Sequence, residues 1–197
     1  MKIECSHKDL KNETHERKFQ DEVFKYKSKT CLDCGAVLWN EVNEKKFNSW
    51  LIDLYKQKRH LFQVQYNLSE NVIQCVDKLS ERFPWIDQSL LIRALVVLNL
   101  DVVEENQEIL NLVEGHLESE DYKHLTSGAM IAKKLQFKPN GMQEILAYSG
   151  MLKVRPSKII EESINRILLL GIKADPILKA FWEDTIIKNL ETILKAA

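Results

Sequence analysis

The sequence predicts a mainly α-helical protein with small β elements. We expect an N-terminal metal-binding module, a central strand-helix-helix unit and a C-terminal helical domain. Three observations lead to this class. Close pairs of cysteine and histidine lie near the N-terminus. One short segment, 62–68, alternates strictly between apolar and polar residues, which is typical of a strand with one buried face. Elsewhere apolar residues recur at spacings of three and four, which indicates amphipathic helices.

The composition is that of a globular protein with balanced charge. The 197 residues include 28 Lys and Arg against 29 Asp and Glu, and 45% are hydrophobic. These values exclude wholesale disorder and a collagen-like chain. The sequence lacks a run of about 20 apolar residues, which a membrane span requires, and the first five residues lack the apolar core of a secretory signal. We therefore expect a cytoplasmic protein with no membrane partner.

Three of the four cysteines are spaced as metal ligands. Cys31 and Cys34 are separated by two residues and followed by Gly35, an arrangement that brings two thiolates onto one ion. Cys5 and His7 lie two residues apart upstream. In a reducing compartment such pairs are more often metal ligands than disulfides. The set of four predicts a Zn²⁺ site, and four protein ligands make that zinc structural rather than catalytic.

Two alternatives remain open at this module. The Cys31 and Cys34 pair could act as a redox dithiol, although no βαβ pattern surrounds it, and His15 competes with His7 as the nitrogen ligand. Residues 15–30 and 36–39 could supply short hairpin strands. The two ligand pairs with a hairpin between them resemble a zinc ribbon, and this resemblance covers residues 1–46.

The elements that follow can be placed in order. Apolar residues predict a short helix over 47–57, which leads into a basic cluster that includes Lys58 and Arg59. The alternating segment 62–68 then turns three amide side chains outward: Gln63, Gln65 and Asn67. Ser69 begins a helix that Pro84 ends, and a second helix starts at Asp87 or Ser89 and is predicted to continue to about residue 113.

This order of one strand and two helices, within a predicted domain of 47–114, resembles the ribbon-helix-helix superfamily of DNA-binding proteins. The resemblance is carried by the alternating strand, the helix 72–83 and the start of the second helix at 89–95. In that family two chains pair their strands and the ribbon enters the major groove. The resemblance therefore implies a homodimer or higher oligomer formed through strand pairing, with double-stranded DNA as the partner. The implied contacts are Gln63, Gln65 and Asn67 on bases and the start of the second helix, including Ser89, on phosphates. The basic pair Lys58 and Arg59 is added to this predicted interface.

Charge is unevenly distributed along the rest of the chain. Residues 101–121 contain eight acidic and no basic residues, whereas residues from 122 to the end contain twelve basic and seven acidic ones. The acidic stretch predicts a linker near 114–125. A C-terminal helical domain is expected over 126–197, with helices near 126–136, 140–149, 156–170 and 175–195.

The C-terminal domain has two interpretations. The segment 152–155, which precedes Ser157, could be the strand of a divergent second ribbon-helix-helix unit with Lys153 and Arg155 outward. It could equally belong to a helical hairpin that oligomerises. No catalytic constellation or phosphate-binding glycine loop is present, so we expect a non-enzymatic protein without a small-molecule substrate. The sequence favours a sequence-specific DNA-binding protein, either a transcriptional regulator or a plasmid or phage accessory factor. A zinc-ribbon adaptor that binds only protein is the alternative.

Overall fold

The computed structural model describes residues 5–172 and 175–196 of the chain. Residues 1–4, which bear on the prediction that the chain carries no export signal, lie outside this part. Contacts divide the chain into two compact units, Met1–Phe62 and Gln63–Ala197. The predicted class is confirmed, because the described residues are mainly helical with small antiparallel sheets. No helix in the described part is long and apolar enough to cross a membrane.

The first unit is a β-hairpin with a helix packed on one face. Its sheet has the order β1-β2-β3 and is antiparallel throughout. The elements are β1 (Leu10–Phe19), β2 (Glu22–Cys31), β3 (Val37–Leu38) and α1 (Glu41–Gln57), followed by a 3₁₀ turn at Arg59–Phe62. Helix α1 begins six residues before the predicted start at 47, because the Asn40 side chain accepts a hydrogen bond from the Asn43 N–H and caps it.

Aromatic side chains hold α1 on the inner face of the hairpin. The Phe24 ring lies 5.4 Å from both Phe47 and Trp50 of α1, measured between ring centroids. The Arg17 guanidinium lies over the Phe47 ring at 4.2 Å and over the Trp39 ring at 4.9 Å. Offset and edge-on aromatic pairs of this kind stabilise a packed face beyond the area that they bury. The inner face of the hairpin therefore packs in the core of this unit.

The second unit contains the remaining elements. They are β4 (Gln63–Ser69), α2 (Glu70–Ser80), α3 (Gln88–Leu98), α4 (Gln107–Gly115), α5 (Glu120–Thr126), β5 (Met130–Gln136), α6 (Pro139–Leu152), α7 (Pro156–Ile172), α8 (Pro176–Phe181) and α9 (Lys188–Ala196). Two π-helical segments extend the helices, Asn99–Val103 after α3 and Trp182–Ile187 between α8 and α9. Helix α7 lies centrally and packs against α3, α5, α6 and β4.

The strand predicted at 62–68 is confirmed as β4, and its partner is β5 of the same chain. The two strands pair antiparallel over seven residues each, from Gln63 opposite Gln136 to Ser69 opposite Met130. One face of β4 is buried through Val64, Tyr66 and Leu68. Burial raises the pKa of Tyr66 to about 12. The edge of β4 that faces β5 is thus paired within one chain. The family resemblance implies a partner strand from a second chain, and a second unit with its strand at 152–155 would also have let one chain supply both strands.

The order strand, helix, helix therefore occurs twice in this unit. The first copy is β4, α2 and α3, and the second is β5, α6 and α7. Gln65 and Lys134 each lie five residues before the first residue of the following helix, and they stand directly opposite each other in the ribbon. In an antiparallel pair a local twofold axis through these opposed residues relates one strand to the other.

Side-chain contacts follow the same symmetry. Arg93 is the sixth residue of α3 and donates to the backbone carbonyl oxygen of Gln136 at 3.0 Å. Glu161 is the sixth residue of α7 and accepts from the backbone N–H of Asn67 at 2.8 Å. Gln136 and Asn67 each lie three residues before their own following helix. The second helix of each copy thus grips the strand of the other copy.

Several predicted elements in this unit are wrong. Residues 126–136, predicted as a helix, contain β5 because pairing with β4 fixes them as a strand. The segment 152–155, considered as a strand, is the end of α6 and a turn in which Lys153 adopts a left-handed backbone with φ 56°. The helix predicted to continue to residue 113 ends its π-helical extension at Val103, and Asn106 caps a separate α4. The predicted linker 114–125 contains most of α5.

The two compact units divide the chain differently from the three modules that the sequence predicts. The helix predicted at 47–57 belongs with the hairpin, because α1 packs on β2. The segments 63–114 and 126–197 lie in one unit, because β4 pairs with β5.

Candidate metal centre and nucleic-acid interface

The four predicted metal ligands lie together at one end of the hairpin. The ligand atoms of Cys5, His7, Cys31 and Cys34 are all within 4.8 Å of one another. The Sγ atoms of Cys5 and Cys31 are 3.5 Å apart, and Cys34 Sγ lies 3.5 Å from His7 Nδ1. Ligand atoms around a tetrahedral zinc ion are separated by about 3.3–3.8 Å, from metal-ligand distances of about 2.0–2.3 Å. These separations fit a single ion bound by three sulfurs and one nitrogen.

Backbone turns position the ligands. Cys31 ends β2, and its N–H donates to the Ala36 carbonyl at 2.9 Å, while the Gly35 N–H donates to the Cys31 carbonyl at 2.9 Å. Gly35 has φ 71°, a left-handed conformation that glycine adopts without a steric cost. His7 also has a positive φ, 49°. Backbone hydrogen bonds therefore fix the turn at Cys31–Gly35, and the ligand atoms of both pairs lie close together.

His15, the rival nitrogen ligand, lies elsewhere. It stands opposite Tyr26 in the middle of the hairpin, and its Nε2 is 2.9 Å from the Thr30 hydroxyl. The group of four contains His7 instead. The register of the hairpin explains the difference, because it places the His15 side chain on the inner face, several residues from the turn at Cys31–Gly35.

The environment of the cluster favours a cation. Hydrogen bonds from the His7 side chain and from the Cys34 backbone N–H lower the pKa of Cys31 to about 6. The His7 backbone N–H lowers the pKa of Cys5, but the neighbouring thiols of Cys31 and Cys34 outweigh this effect and raise it to about 11. Thiolates so close together repel one another. A divalent metal ion offsets that repulsion and displaces the remaining protons.

The second candidate site is the outward face of the β4-β5 ribbon. Direct partners in an antiparallel pair project to the same side of the sheet, so four pairs share this side. The fourth, Ser69 with Met130, lies at the end of the ribbon, where Ser69 is buried and Met130 is exposed. The other three form the candidate face: Gln63 with Gln136, Gln65 with Lys134, and Asn67 with Ala132. These six are exposed except the half-buried Gln136. The three β4 residues are those predicted from the sequence. The three β5 residues were missed, because Met130–Gln136 does not alternate between apolar and polar residues.

Gln136 carries an unusual polar group. Its side-chain Nε2 is buried without a hydrogen-bond partner in the described part of the structure. A buried amide N–H₂ without an acceptor costs about 1–3 kcal/mol. Three other buried side-chain atoms in the described part share this condition, on Asn43, Asn99 and Asn165, so it does not by itself indicate a ligand.

The other predicted DNA contacts are dispersed. Lys58 and Arg59 belong to the first unit, where the Lys58 ammonium binds the Glu22 carboxylate at 2.6 Å and Arg59 lies over the Tyr55 ring at 5.7 Å. Ser89 is exposed in the first turn of α3. That helix is capped by the Asp87 carboxylate, which accepts from the Leu90 N–H at 2.8 Å.

The equivalent helix of the second copy starts differently. Helix α7 begins at Pro156, and the exposed cations Arg155 and Lys158 flank its first turn. Lys158 also pairs with Glu162 at 3.3 Å. Backbone N–H groups at a helix start attract anions. Arg155 therefore occupies the position immediately before α7 that Asp87 occupies before α3, and Lys158 follows in the first turn of α7.

Comparison of the chain with models of protein families, with curated proteins and with solved structures finds no match in any of the three.

Proposed function

We propose that the protein binds double-stranded DNA in a sequence-specific way through the outward face of the β4-β5 ribbon, and that a structural zinc ion stabilises its first unit. One observation carries the proposal: a single chain forms a symmetric two-stranded ribbon whose outward face consists mainly of amide and ammonium side chains.

The chemistry of this face suits base edges. Gln and Asn amides form paired hydrogen bonds with adenine N6 and N7, and Lys donates to guanine O6 and N7. The face offers four amides, Gln63, Gln65, Asn67 and Gln136, and the ammonium group of Lys134. The major groove is about 12 Å wide and admits a two-stranded β-ribbon.

We infer that the arrangement resembles that of the ribbon-helix-helix superfamily, with both halves supplied by one chain. In this proposal β4, α2 and α3 form one half, and β5, α6 and α7 form the other. The starts of α3 and α7 would face the phosphates, as the family resemblance implies. Arg155 and Lys158 make the second of these starts attractive to a phosphate, whereas Asp87 weakens the first.

The metal fits this proposal as a structural ion. Cys5, His7, Cys31 and Cys34 would hold zinc with the donor set of a zinc ribbon. Four protein ligands leave no coordination position for a substrate. When bound, the ion supplies folding free energy to the hairpin and performs no chemistry.

The two halves of the ribbon are related by symmetry but differ in sequence, and this determines the site that they would bind. The axis through Gln65 and Lys134 relates Gln63 to Ala132 and Asn67 to Gln136. One end of the ribbon thus presents two amides, and the other presents one amide and a methyl group. We expect selection from a random DNA pool to enrich a non-palindromic sequence bound by one chain per duplex. Recovery of unenriched sequences would overturn the proposal and favour an adaptor that binds only protein.

A further inference from the structure

The outer face of the β1-β2 hairpin is a second charged surface, in the first unit. The register brings five pairs to this side of the hairpin, of which the last, Leu10 with Cys31, adjoins the metal-ligand cluster and is half-buried to buried. The other four pairs form the charged face: Asn12 with Lys29, Thr14 with Lys27, Glu16 with Lys25, and Lys18 with Val23. All eight of these side chains are exposed. The face carries four lysines against one glutamate, although the chain as a whole has a net charge of −1. We call the set Lys18, Lys25, Lys27 and Lys29 the lysine face.

These lysines are not used to fold the unit. Aromatic packing occupies the opposite face of the hairpin, where Phe24 contacts Phe47 of α1 and Tyr26 contacts Trp39. Lys25 pairs with Glu16 at 3.4 Å, and both side chains remain more than half exposed. No ion pair in the described part of the chain involves Lys18, Lys27 or Lys29. Exposed ammonium groups without acid partners repel one another and are stabilised by a polyanion.

The geometry favours an extended polyanion. Lys25, Lys27 and Lys29 follow one strand at alternate positions, so neighbouring lysines are spaced by about 6.8 Å. At the end of this row is a depression of about 590 Å³ lined by both lysines and amides, among them Lys27, Lys29, Asn12 and Asn40. Ammonium and amide groups are the donors that bind phosphate oxygens.

The alternatives fit less well. Proteins that bind single-stranded nucleic acid stack its bases on aromatic side chains. The aromatic side chains of this hairpin, such as Phe24 and Tyr26, lie on the opposite face. Binding at a membrane interface requires a buried apolar face, and Val23 is the one large apolar side chain in the four pairs, 39% exposed. We propose that the lysine face binds the phosphate backbone of double-stranded DNA without regard to sequence. This inference goes beyond the proposed function and does not depend on the ribbon.

The test measures the affinity of the full zinc-bound chain for a random-sequence duplex between 50 and 200 mM salt. Over this range the affinity of a protein that makes six to ten phosphate contacts falls by about 10³–10⁵. The variant changes all four lysines of the lysine face to Gln. A matched control changes four lysines elsewhere in the first unit to Gln, which alters net charge equally: Lys11, Lys45, Lys46 and Lys56. Retained metal content and circular dichroism show that each variant folds.

We expect the lysine-face variant to lose affinity by about eightfold at 0.1 M salt for each lysine that contacts a phosphate, and its salt slope to fall by about 0.9 per contact. The control should change little, and replacement of the same four lysines by Arg should retain binding. Three results would each overturn the inference. The variant and the control could lose affinity equally, or the wild type could fail to bind the duplex. The third is lysine-dependent binding to phosphatidylserine vesicles but not to DNA.

Discussion

Cys31→Ser is expected to remove the zinc ion from the protein and to unfold the hairpin of the first unit. Cys31 is the buried member of the ligand set, and three other ligand atoms lie within 4.8 Å of its sulfur. A structural zinc site contributes about 10–16 kcal/mol of apparent binding free energy, most of which appears as folding free energy. A unit with one hairpin and one helix has a small core, so loss of this contribution should unfold it.

Metal analysis and circular dichroism measure this outcome. The wild type should carry one equivalent of zinc, and Cys31→Ser should carry almost none. The near-ultraviolet signal from the aromatic residues around Phe24 and Phe47 should disappear, while most helical signal, which comes from the second unit, should remain. Cys75→Ser is the matched control, because Cys75 lies in α2, outside the ligand set. Wild-type protein that contains no metal would refute the assignment.

Gln63→Ala combined with Gln65→Ala is expected to abolish sequence-specific DNA binding while leaving the fold intact. Both side chains are exposed, so their truncation removes no core contact. Each paired hydrogen bond to a base contributes about 1–3 kcal/mol of discrimination. Two such losses correspond to a decrease in specific affinity of about 30-fold to 10⁴-fold, measured by gel shift on the selected duplex.

A matched control separates base contact from general effects. Gln107 and Asn111 are exposed amides of α4 that hydrogen-bond to each other at 2.8 Å, away from the ribbon. Changing both to Ala should leave specific affinity within about twofold, since surface substitutions usually cost less than about 0.5 kcal/mol. If both double variants bind the selected duplex as tightly as the wild type, the ribbon face does not contact bases.

The sequence predicts which four residues cluster, because local spacing determines most of that group, and the four could hold a metal ion. Cys31 and Cys34 lie two residues apart in one turn. The β1-β2 hairpin then brings that turn back beside Cys5 and His7. The choice between His7 and His15 could not be made from spacing, since it depends on the register that places His15 opposite Tyr26. A one-residue shift of that register would turn the His15 side chain to the other face.

Of the two strands of the ribbon, the sequence predicts β4 but not β5. β4 alternates strictly, so its buried and exposed faces follow from the pattern alone. β5 does not alternate, because Met130 and Ile131 are both exposed, 61% and 38% respectively. Its strand conformation is imposed by pairing with β4, which is a tertiary effect. The segment 152–155 is a candidate for the repeated strand because it precedes Ser157, but the strand that pairs with β4 is β5, which lies before α6.

The measurement that tests the ribbon assignment most directly is DNA selection with a variant whose ribbon is symmetric. Ala132→Gln, Lys134→Gln and Gln136→Asn give β5 the outward side chains of β4, because the twofold axis relates these positions to Gln63, Gln65 and Asn67. The wild type should enrich a non-palindromic sequence, and the variant should enrich an inverted repeat of the half-site that β4 contacts. If both proteins enrich the same sequence, the outward face of the ribbon does not determine which DNA the protein binds.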